Sequence, residues 1–256
     1  MRAVILAGGR GSRLSEETVA RPKPLVEVGG RPIIWHIMNI YAHYGIEDFV
    51  ICTGYRGYQF KEYFANLSLH SSDVTFDLEE GSLEFHGASS VHWKVTVADT
   101  GDDTMTAGRV RRIVPYLTPG ETFCLTYGDG VADVDINEVI RFHREQGRLV
   151  TMTAVLPPAR FGMLELDGPR VTAMFEKRPS HVTPINGGYF VVEPEALELI
   201  TGDADRWETE VLVPLAERGQ LSAYEHRGFW QPMDTLWEKE ILEDLWRSGA
   251  APWKVW

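Results

Sequence analysis

Short apolar runs alternate with segments of helical period along most of this chain. The apolar runs predict buried strands, and the segments with apolar residues at every third or fourth position predict amphipathic helices. Because the two kinds of segment alternate, we expect an α/β fold, a Rossmann-like and mostly parallel sheet flanked by helices. The predicted strands are residues 3–7, 48–52, 122–126 and 150–155, and the predicted helices are residues 33–44, 58–66, 106–117, 136–146 and 236–246.

The pattern changes between residues 73 and 98. Residues 74–78, 82–86 and 93–97 alternate apolar and polar side chains in the way of antiparallel strands, which predicts an inserted β-structure. Residues 162–175 give a second antiparallel-looking stretch. Neither an internal repeat nor a linker interrupts the chain, so residues 1–256 are predicted to form a single domain with antiparallel β insertions.

Composition and charge exclude several classes of protein. The chain is 44% hydrophobic and 24% charged, as in ordinary globular proteins, and its net charge of −12 argues against nucleic-acid binding. A membrane-length apolar stretch and a signal peptide are both missing, so we expect a cytoplasmic protein without a membrane partner. Cys52 and Cys124 lie in apolar runs and are expected to be buried, reduced thiols.

The first predicted strand leads directly into a glycine-rich turn with Gly8, Gly9 and Gly11. Without Cβ atoms, such a turn can bring its backbone N–H groups close to a ligand. Arg13 and Lys23 add positive charge nearby, and the first 31 residues carry six Arg or Lys against three Glu in this acidic chain. The segment therefore predicts a polyphosphate site.

The common phosphate-binding motifs do not describe this turn. A Walker loop needs Lys-Ser or Lys-Thr after the glycines, and neither pair follows them. The dinucleotide fingerprint needs a third glycine, but Leu14 stands where that glycine would be. A dehydrogenase that holds NAD in this turn is therefore disfavoured.

Two aspartates are candidate metal ligands. Asp129 follows an apolar strand and lies between glycines, and Asp234 follows Trp230-Gln-Pro-Met. Ligands of open α/β sheets bind beyond the carboxyl ends of the strands, and Mg²⁺ prefers oxygen ligands. The alternative is that either aspartate caps a helix or closes a turn. That alternative is preferred for Asp133 and for Asp135, which should cap the helix that follows it.

The motifs together resemble the sugar-phosphate nucleotidyltransferases, and more specifically their cytidylyl branch. The resemblance implies transfer of a cytidylyl group from CTP to a sugar 1-phosphate, most often glucose 1-phosphate, with Mg²⁺ as cofactor and a CDP-sugar for deoxysugar or lipopolysaccharide pathways as product. It also implies a homo-oligomer. The segments that carry it are Leu6-Ala-Gly-Gly-Arg-Gly-Ser-Arg-Leu14, Arg21-Pro-Lys-Pro24, Phe60-Lys-Glu-Tyr-Phe-Ala-Asn66, Asp99-Thr-Gly101, Thr126-Tyr-Gly-Asp-Gly-Val-Ala-Asp133, Asn186-Gly-Gly188 and Gly228-Phe-Trp-Gln-Pro-Met-Asp-Thr235.

The resemblance assigns a role to each matching residue. Arg13 and the glycine turn would hold the β- and γ-phosphates, Lys23 would neutralise charge near the α-phosphate, and Lys177 would meet the sugar phosphate. Asp129 and Asp234 would hold the metal. The nucleotide would contact Leu6, Ala7, Gly8, Gly9, Gly11, Ser12, Arg13, Lys23, Thr104, Arg109 and Gly128, and the sugar would contact Tyr127, Glu176, Lys177, Asn186 and Gly187.

Some alternatives remain open at this stage. Arg109 could be a solvated helix charge instead of a base-reading donor. Arg178 is inserted before the proline of the Glu176-Lys motif, and residues 180–184 differ from the usual polar loop, which leaves the sugar open. UTP or dTTP could replace CTP. A protein of another functional class, a non-catalytic homologue that senses nucleotides, is a further alternative. The residues that count against it are the retained Arg13, Lys23, Asp129, Lys177 and Asp234.

Overall fold

A seven-stranded sheet forms the centre of the molecule. The computed structural model describes residues 1–11, 14–86, 92–157, 163–175 and 183–256. Within these residues, strands β1 to β15 are, in chain order, Ala3–Leu6, Glu27–Val28, Arg31–Pro32, Asp48–Thr53, Asp73–Asp77, Ser82–His86, Lys94–Asp99, Phe123–Tyr127, Gly130–Ala132, Val150–Val155, Met163–Asp167, Arg170–Phe175, Ile185–Val192, Leu221–His226 and Trp230–Pro232.

The central sheet has the strand order β14-β10-β13-β8-β1-β4-β7. β13 runs antiparallel to both of its neighbours, β8 and β10, while the other neighbouring pairs of this sheet are parallel. The predicted mostly parallel α/β sheet is thereby confirmed. β1 lies between β4 and β8, so the turn that follows β1 is placed at the middle of the sheet's carboxyl edge.

The segment predicted as an antiparallel insertion divides into two parts. β5 and β6 form a separate antiparallel hairpin, as predicted for this part of the chain. The prediction was wrong for residues 93–97, because β7 belongs to the central sheet and pairs parallel to β4. An alternating pattern shows that only one face of a strand is covered, and it carries no information about the direction of the partner strand. β11 and β12 form the second predicted antiparallel pair.

Helices cover both faces of the central sheet. The predicted helix at 106–117 is shorter than expected, because it ends at Arg112 and a 3₁₀ turn, Val114–Tyr116, follows it. Pro115 explains the break, since proline has no N–H and clashes with the preceding helical turn. Helices α1 to α8 of the described residues are Ser15–Thr18, Ile33–His43, Tyr58–Ala65, Leu67–Ser71, Thr106–Arg112, Ile136–Gln146, Val213–Glu217 and Leu236–Arg247, and a π-helix, Trp207–Leu212, precedes α7.

The core consists of two apolar layers on the two sides of the sheet. Alternate residues of β1 enter different layers: Ala3 and Ile5 pack on the side of α2, while Val4 and Leu6 pack on the side of α5. β1 is therefore buried on both faces, which explains its uninterrupted apolar sequence. Cys52 and Cys124 are buried free thiols, as predicted. Among the described helices, none is both long and apolar enough to cross a membrane.

Candidate active site

The glycine turn after β1 is held close to the sheet by its neighbours. Gly8 lies directly against the guanidinium of Arg109, and a Cβ at this position would come within 2.1 Å of Nη1. Gly11 has a φ of +63°, a left-handed conformation that favours glycine. These two positions explain why the turn requires glycine, and the backbone they form remains open toward the cavity beside it.

A cavity of about 320 Å³ lies along this turn, at the carboxyl ends of β1 and β8. Its walls contain most of the nucleotide-site residues predicted from the sequence. Pro24, Met105 and Thr106 also line it, and they were not among the predicted residues. The predicted residues on its walls are Leu6, Ala7, Gly8, Gly9, Gly11, Lys23, Thr104, Arg109, Tyr127, Gly128 and Asp129.

Four predicted site residues cannot be placed. Ser12, Arg13, Glu176 and Lys177 lie outside the described residues. Their predicted roles toward the phosphates and the sugar therefore stay predictions.

Asp129 and Asp234 come together through the short antiparallel pair of β9 and β15. Gly130 is paired with Pro232 in this ladder, and the backbone N–H of Met233 donates to the carbonyl of Asp129 over 2.8 Å. The ladder therefore places Asp129, which immediately precedes β9, next to Asp234, which lies two residues after the end of β15. The structure thus unites two carboxylates that are more than a hundred residues apart in the sequence.

Neither metal-ligand candidate is needed to cap the following helix. Thr235 caps α8, with its Oγ1 accepting from the N–H of Glu238, while Glu238 Oε2 accepts from the N–H of Thr235. The N–H of Asp234 also donates to Glu238 Oε2, over 2.8 Å. The carboxylate of Asp234 instead accepts from the ammonium of Lys23, which lines the cavity. Asp135 does cap α6, accepting from the N–H of Glu138, as predicted.

The ammonium group of Lys23 joins the two aspartates. Its Nζ donates to Asp129 Oδ2 over 2.7 Å and to Asp234 Oδ1 over 2.5 Å. Burial alone would lower the pKa of Lys23, but the charges and hydrogen bonds of the two carboxylates outweigh burial and raise the pKa above its ordinary value. Lys23 is therefore a fully charged ammonium at neutral pH.

The same geometry tests whether a metal ion would fit. One cation, the ammonium of Lys23, already contacts both carboxylates, so the two side chains can converge on a single positive centre. Within the described part of the chain, groups of three or more His, Cys, Asp or Glu side chains that could hold a metal are not found. A hard cation here would take its remaining oxygen ligands from phosphates and water, as is usual for Mg²⁺.

Arg109 is buried, with 5% of its surface exposed, so the alternative of a solvated helix charge is wrong. Burial lowers the pKa of Arg109. Its guanidinium connects the glycine turn to the last residue of β4 and to the loop that follows β7. It donates to Gly8 O (3.1 Å), Thr53 O (3.0 Å), Thr100 Oγ1 (2.8 Å), Gly101 O (2.7 Å) and Asp102 O (3.4 Å).

Two predicted sugar-site residues meet beside the cavity. The amide nitrogen of Asn186 donates to the hydroxyl of Tyr127 over 3.2 Å. The same hydroxyl donates to Glu208 Oε1 over 2.5 Å. Burial, and after it the charge of Glu208, raise the pKa of Tyr127 well above its ordinary value. Gly187 lies on the same strand as Asn186, where its carbonyl accepts from the indole of Trp230 over 2.7 Å.

Glu208 was missed by the sequence analysis. It lies in the π-helix Trp207–Leu212, in the sequence Trp-Glu-Thr-Glu-Val. No short motif marks such a turn, and π-helical turns are most often recognised only in structures, frequently at functional sites. A glutamate that is followed by Thr209 and Glu210 resembles an exposed helix charge in the sequence.

The chain matches the family described as nucleotidyl transferase over residues 2–236. It is 54% identical to the glucose-1-phosphate cytidylyltransferases of Salmonella typhi and Salmonella typhimurium, over 256 residues that cover 100% of both chains in each case. The solved structure of HddC from Yersinia pseudotuberculosis, in complex with GMP-PN, has a TM-score of 0.69 at 18% identity, covering 96% of this chain and 99% of HddC. The structural likeness concerns the fold, and the sequence matches establish that the chain belongs to the nucleotidyl transferase family.

Proposed function

We propose that this chain transfers a cytidylyl group from CTP to glucose 1-phosphate, forming CDP-glucose and pyrophosphate. The observation that carries the proposal is the cluster of Lys23, Asp129 and Asp234 beside the glycine-turn cavity. A site that joins two anionic substrates needs concentrated positive charge and ligands for a cation at the point where the phosphates meet. The 54% identity to glucose-1-phosphate cytidylyltransferases supports the choice of substrates.

The reaction requires positioning more than acid–base chemistry. An oxygen of the sugar phosphate attacks the α-phosphorus of CTP, the bond from that phosphorus to the bridging oxygen breaks, and pyrophosphate leaves. The attacking phosphate is already ionised at neutral pH, so a general base is unnecessary. The main task of the protein is to align the two phosphates and to offset their negative charge.

The glycine turn and Lys23 divide that task. The N–H groups around Gly8, Gly9 and Gly11 would face the β- and γ-phosphates, while Lys23 would face the α-phosphate. Asp129 and Asp234 would hold Mg²⁺, which supplies charge neutralisation where the two phosphates approach. The ammonium of Lys23 and a metal ion would compete for the two carboxylates, and the phosphates of the nucleotide would offer the ammonium other oxygen partners.

A panel of nucleotides and acceptors tests this function. CTP, UTP, dTTP and GTP are each combined with glucose 1-phosphate, mannose 1-phosphate and galactose 1-phosphate, and the sugar nucleotide is identified by mass spectrometry. CTP with glucose 1-phosphate should give the highest kcat/KM. A higher value for another pair would change the substrate assignment, and CTP binding without product from any pair would favour the nucleotide-sensing alternative.

We also propose that the chain acts as a homo-oligomer. The β5–β6 hairpin has an apolar face on which Phe76, Leu83 and Phe85 are each exposed by 45% or more. A two-stranded sheet is only marginally stable unless such a face is covered, and a second copy of the chain would cover it. Light scattering after size-exclusion chromatography tests this proposal. We expect the wild type to be an oligomer and the double variant Phe76→Ser, Phe85→Ser to be a monomer. A monomeric wild type would contradict the proposal.

A further inference from the structure

The carboxylate of Glu208 joins two walls of the candidate active site. Its Oε1 accepts from the hydroxyl of Tyr127 over 2.5 Å, and its Oε2 accepts from Thr106 Oγ1 over 3.1 Å. Tyr127 and Thr106 both line the cavity, and they come from different elements, the end of β8 and the start of α5. Glu208 therefore contacts the site through these two side chains.

The π-helix that carries Glu208 is anchored on both sides. Trp207 is fully buried against Phe190, with ring centroids 6.0 Å apart. The backbone N–H of Trp207 donates to Thr106 Oγ1 over 2.7 Å, so Thr106 accepts from one residue of the π-helix and donates to the next. This double contact fixes the carboxylate of Glu208 relative to the helix that carries Arg109.

The hydrogen bonds that connect Asn186, Tyr127 and Glu208 have a fixed order of donor and acceptor. A carboxylate can only accept, so the single proton of the Tyr127 hydroxyl points to Glu208. The hydroxyl oxygen is then free to accept from the amide nitrogen of Asn186 at 3.2 Å. Asn186 Oδ1 accepts from the N–H of Gly188 over 2.8 Å, so this bond and the bond to Tyr127 together set the orientation of the amide. The order of donors is therefore Asn186 to Tyr127 to Glu208.

Packing leaves the Tyr127 ring little freedom. The ring meets Phe190 edge to face at 5.7 Å, and a Cβ at Gly188 would lie 2.6 Å from its Cδ2. The hydroxyl direction is consequently the adjustable part of this side chain, and Glu208 sets it. Since an amide nitrogen carries two hydrogens, an Asn186 held in this orientation can offer its second N–H to an oxygen of a polyol.

We infer that Glu208 is a positioning residue for the acceptor sugar: it orients Tyr127, and through Tyr127 it orients Asn186 toward a sugar hydroxyl. This inference rests on the proposed function. It distinguishes Glu208 from Glu210 of the same π-helix, whose carboxylate accepts from the N–H of Arg206 and from Thr209 Oγ1 on the exposed side. Glu210→Gln is therefore the matched control.

Glu208→Gln keeps the size of the side chain but leaves one acceptor oxygen for two donors. The dissociation constant of glucose 1-phosphate and that of CTP are measured by calorimetry, together with KM for both substrates. We expect glucose 1-phosphate to bind on the order of tenfold more weakly to Glu208→Gln, with CTP changed less than twofold and Glu210→Gln unchanged for both. Equal weakening of both substrates would indicate a merely structural role and overturn the inference, as would an unchanged acceptor affinity.

A double-mutant cycle tests whether Glu208 acts through Tyr127. Tyr127→Phe removes the hydroxyl, and the variant with both changes should bind glucose 1-phosphate within twofold of Tyr127→Phe alone. If the two substitutions together weaken glucose 1-phosphate binding by the product of their separate effects, Glu208 does not act through Tyr127 and the inference is overturned. Failure of the proposed function is distinguishable, because a wild type that forms no CDP-glucose would contradict that function, whereas the calorimetric comparison still tests Glu208.

Discussion

The ammonium nitrogen of Lys23 lies 2.5 Å from Oδ1 of Asp234, although 211 positions separate the two residues in the chain. The contact links the Arg21-Pro-Lys-Pro segment after the glycine turn to the segment that begins α8. Asp129 provides a second carboxylate, and its Oδ2 lies 2.7 Å from the same ammonium nitrogen. Because three distant segments of the sequence converge on one charged group, each can be tested separately by substitution.

Lys23→Ala should lose turnover more than nucleotide affinity. The ammonium is expected to stabilise the charge that develops on the reacting phosphate, and such an interaction is worth on the order of a hundredfold in kcat. Steady-state kinetics with a separate measurement of CTP binding checks this. A variant with near-normal kcat would assign Lys23 only to holding the two carboxylates.

Lys23→Met should bind a divalent cation more tightly than the wild type when nucleotide is absent. In the structure the ammonium occupies the position between Asp129 and Asp234, so a cation without a phosphate partner must displace it. Electron paramagnetic resonance of Mn²⁺ measures this binding directly. The gain should disappear when Asp234→Asn is added, and equal Mn²⁺ affinity of wild type and Lys23→Met would contradict the expected competition.

Asp129→Asn and Asp234→Asn should each nearly abolish activity while the fold remains intact. The amide keeps the shape of the side chain but removes the charge on which a weakly ligated Mg²⁺ depends. High Mg²⁺ should restore part of the rate, because the phosphates still bind metal. The measurement is kcat against Mg²⁺ concentration, with circular dichroism as the fold control. A variant that keeps its rate would contradict a metal-binding role for that aspartate and favour a turn-capping role.

Arg109→Ala should lower both the unfolding free energy and the preference for CTP. The buried guanidinium donates to several loop carbonyls, and leaving even one such acceptor without its charged donor costs about 1.5–3 kcal/mol. Thermal unfolding and the CTP-to-UTP ratio of kcat/KM are measured for Arg109→Ala and for the exposed neighbour Arg111→Ala. Arg111→Ala should match the wild type, and full CTP preference in Arg109→Ala would exclude a role in base selection.

The stability of the protein should fall between pH 6.5 and pH 4 because of His36. Burial lowers the pKa of this histidine to about 4, while Val28 O lies 2.9 Å from Nε2 and the indole of Trp253 donates to Nδ1 over 3.3 Å. The unfolded chain takes up the proton at a higher pH than the folded protein. The stabilisation is therefore complete above pH 6.5 and is lost as the pH falls to 4, by up to about 3 kcal/mol.

Urea unfolding across this pH range measures the effect of His36. His36→Gln should be less stable at neutral pH and should show a flatter profile than the wild type. The exposed His43 provides the control, and His43→Gln should keep the wild-type slope. An unchanged slope in His36→Gln would contradict the assignment of this pH dependence to His36.

The sequence predicted elements best where local signals agreed with tertiary packing. The limits predicted for α6 and β10, residues 136–146 and 150–155, are those of the structure. An amphipathic period and a capping Asp135 mark the helix, and a run of apolar residues and β-branched threonines marks the strand. Strand partners were harder to predict. The parallel pairing of β7 with β4 depends on the whole sheet, and no local pattern records it.

In the candidate site too, residues in short motifs could be predicted from the sequence, whereas contacts between distant segments could not. The glycine turn, Lys23 and both aspartates were identifiable because each lies in a short motif with its own chemistry. The bridging of the two aspartates by Lys23 was not predicted, because it depends on how β9 and β15 pair. Glu208 was missed for a similar reason, since its importance comes from its contacts with Tyr127 and Thr106 and not from its neighbours in sequence.

Incubation of the protein with CTP, glucose 1-phosphate and Mg²⁺, followed by ³¹P nuclear magnetic resonance, tests the central claim most directly. The account predicts equal amounts of CDP-glucose and pyrophosphate, formed faster than the sugar nucleotide from UTP or dTTP at the same concentration. The absence of CDP-glucose, or faster formation of another sugar nucleotide under the same conditions, would contradict it.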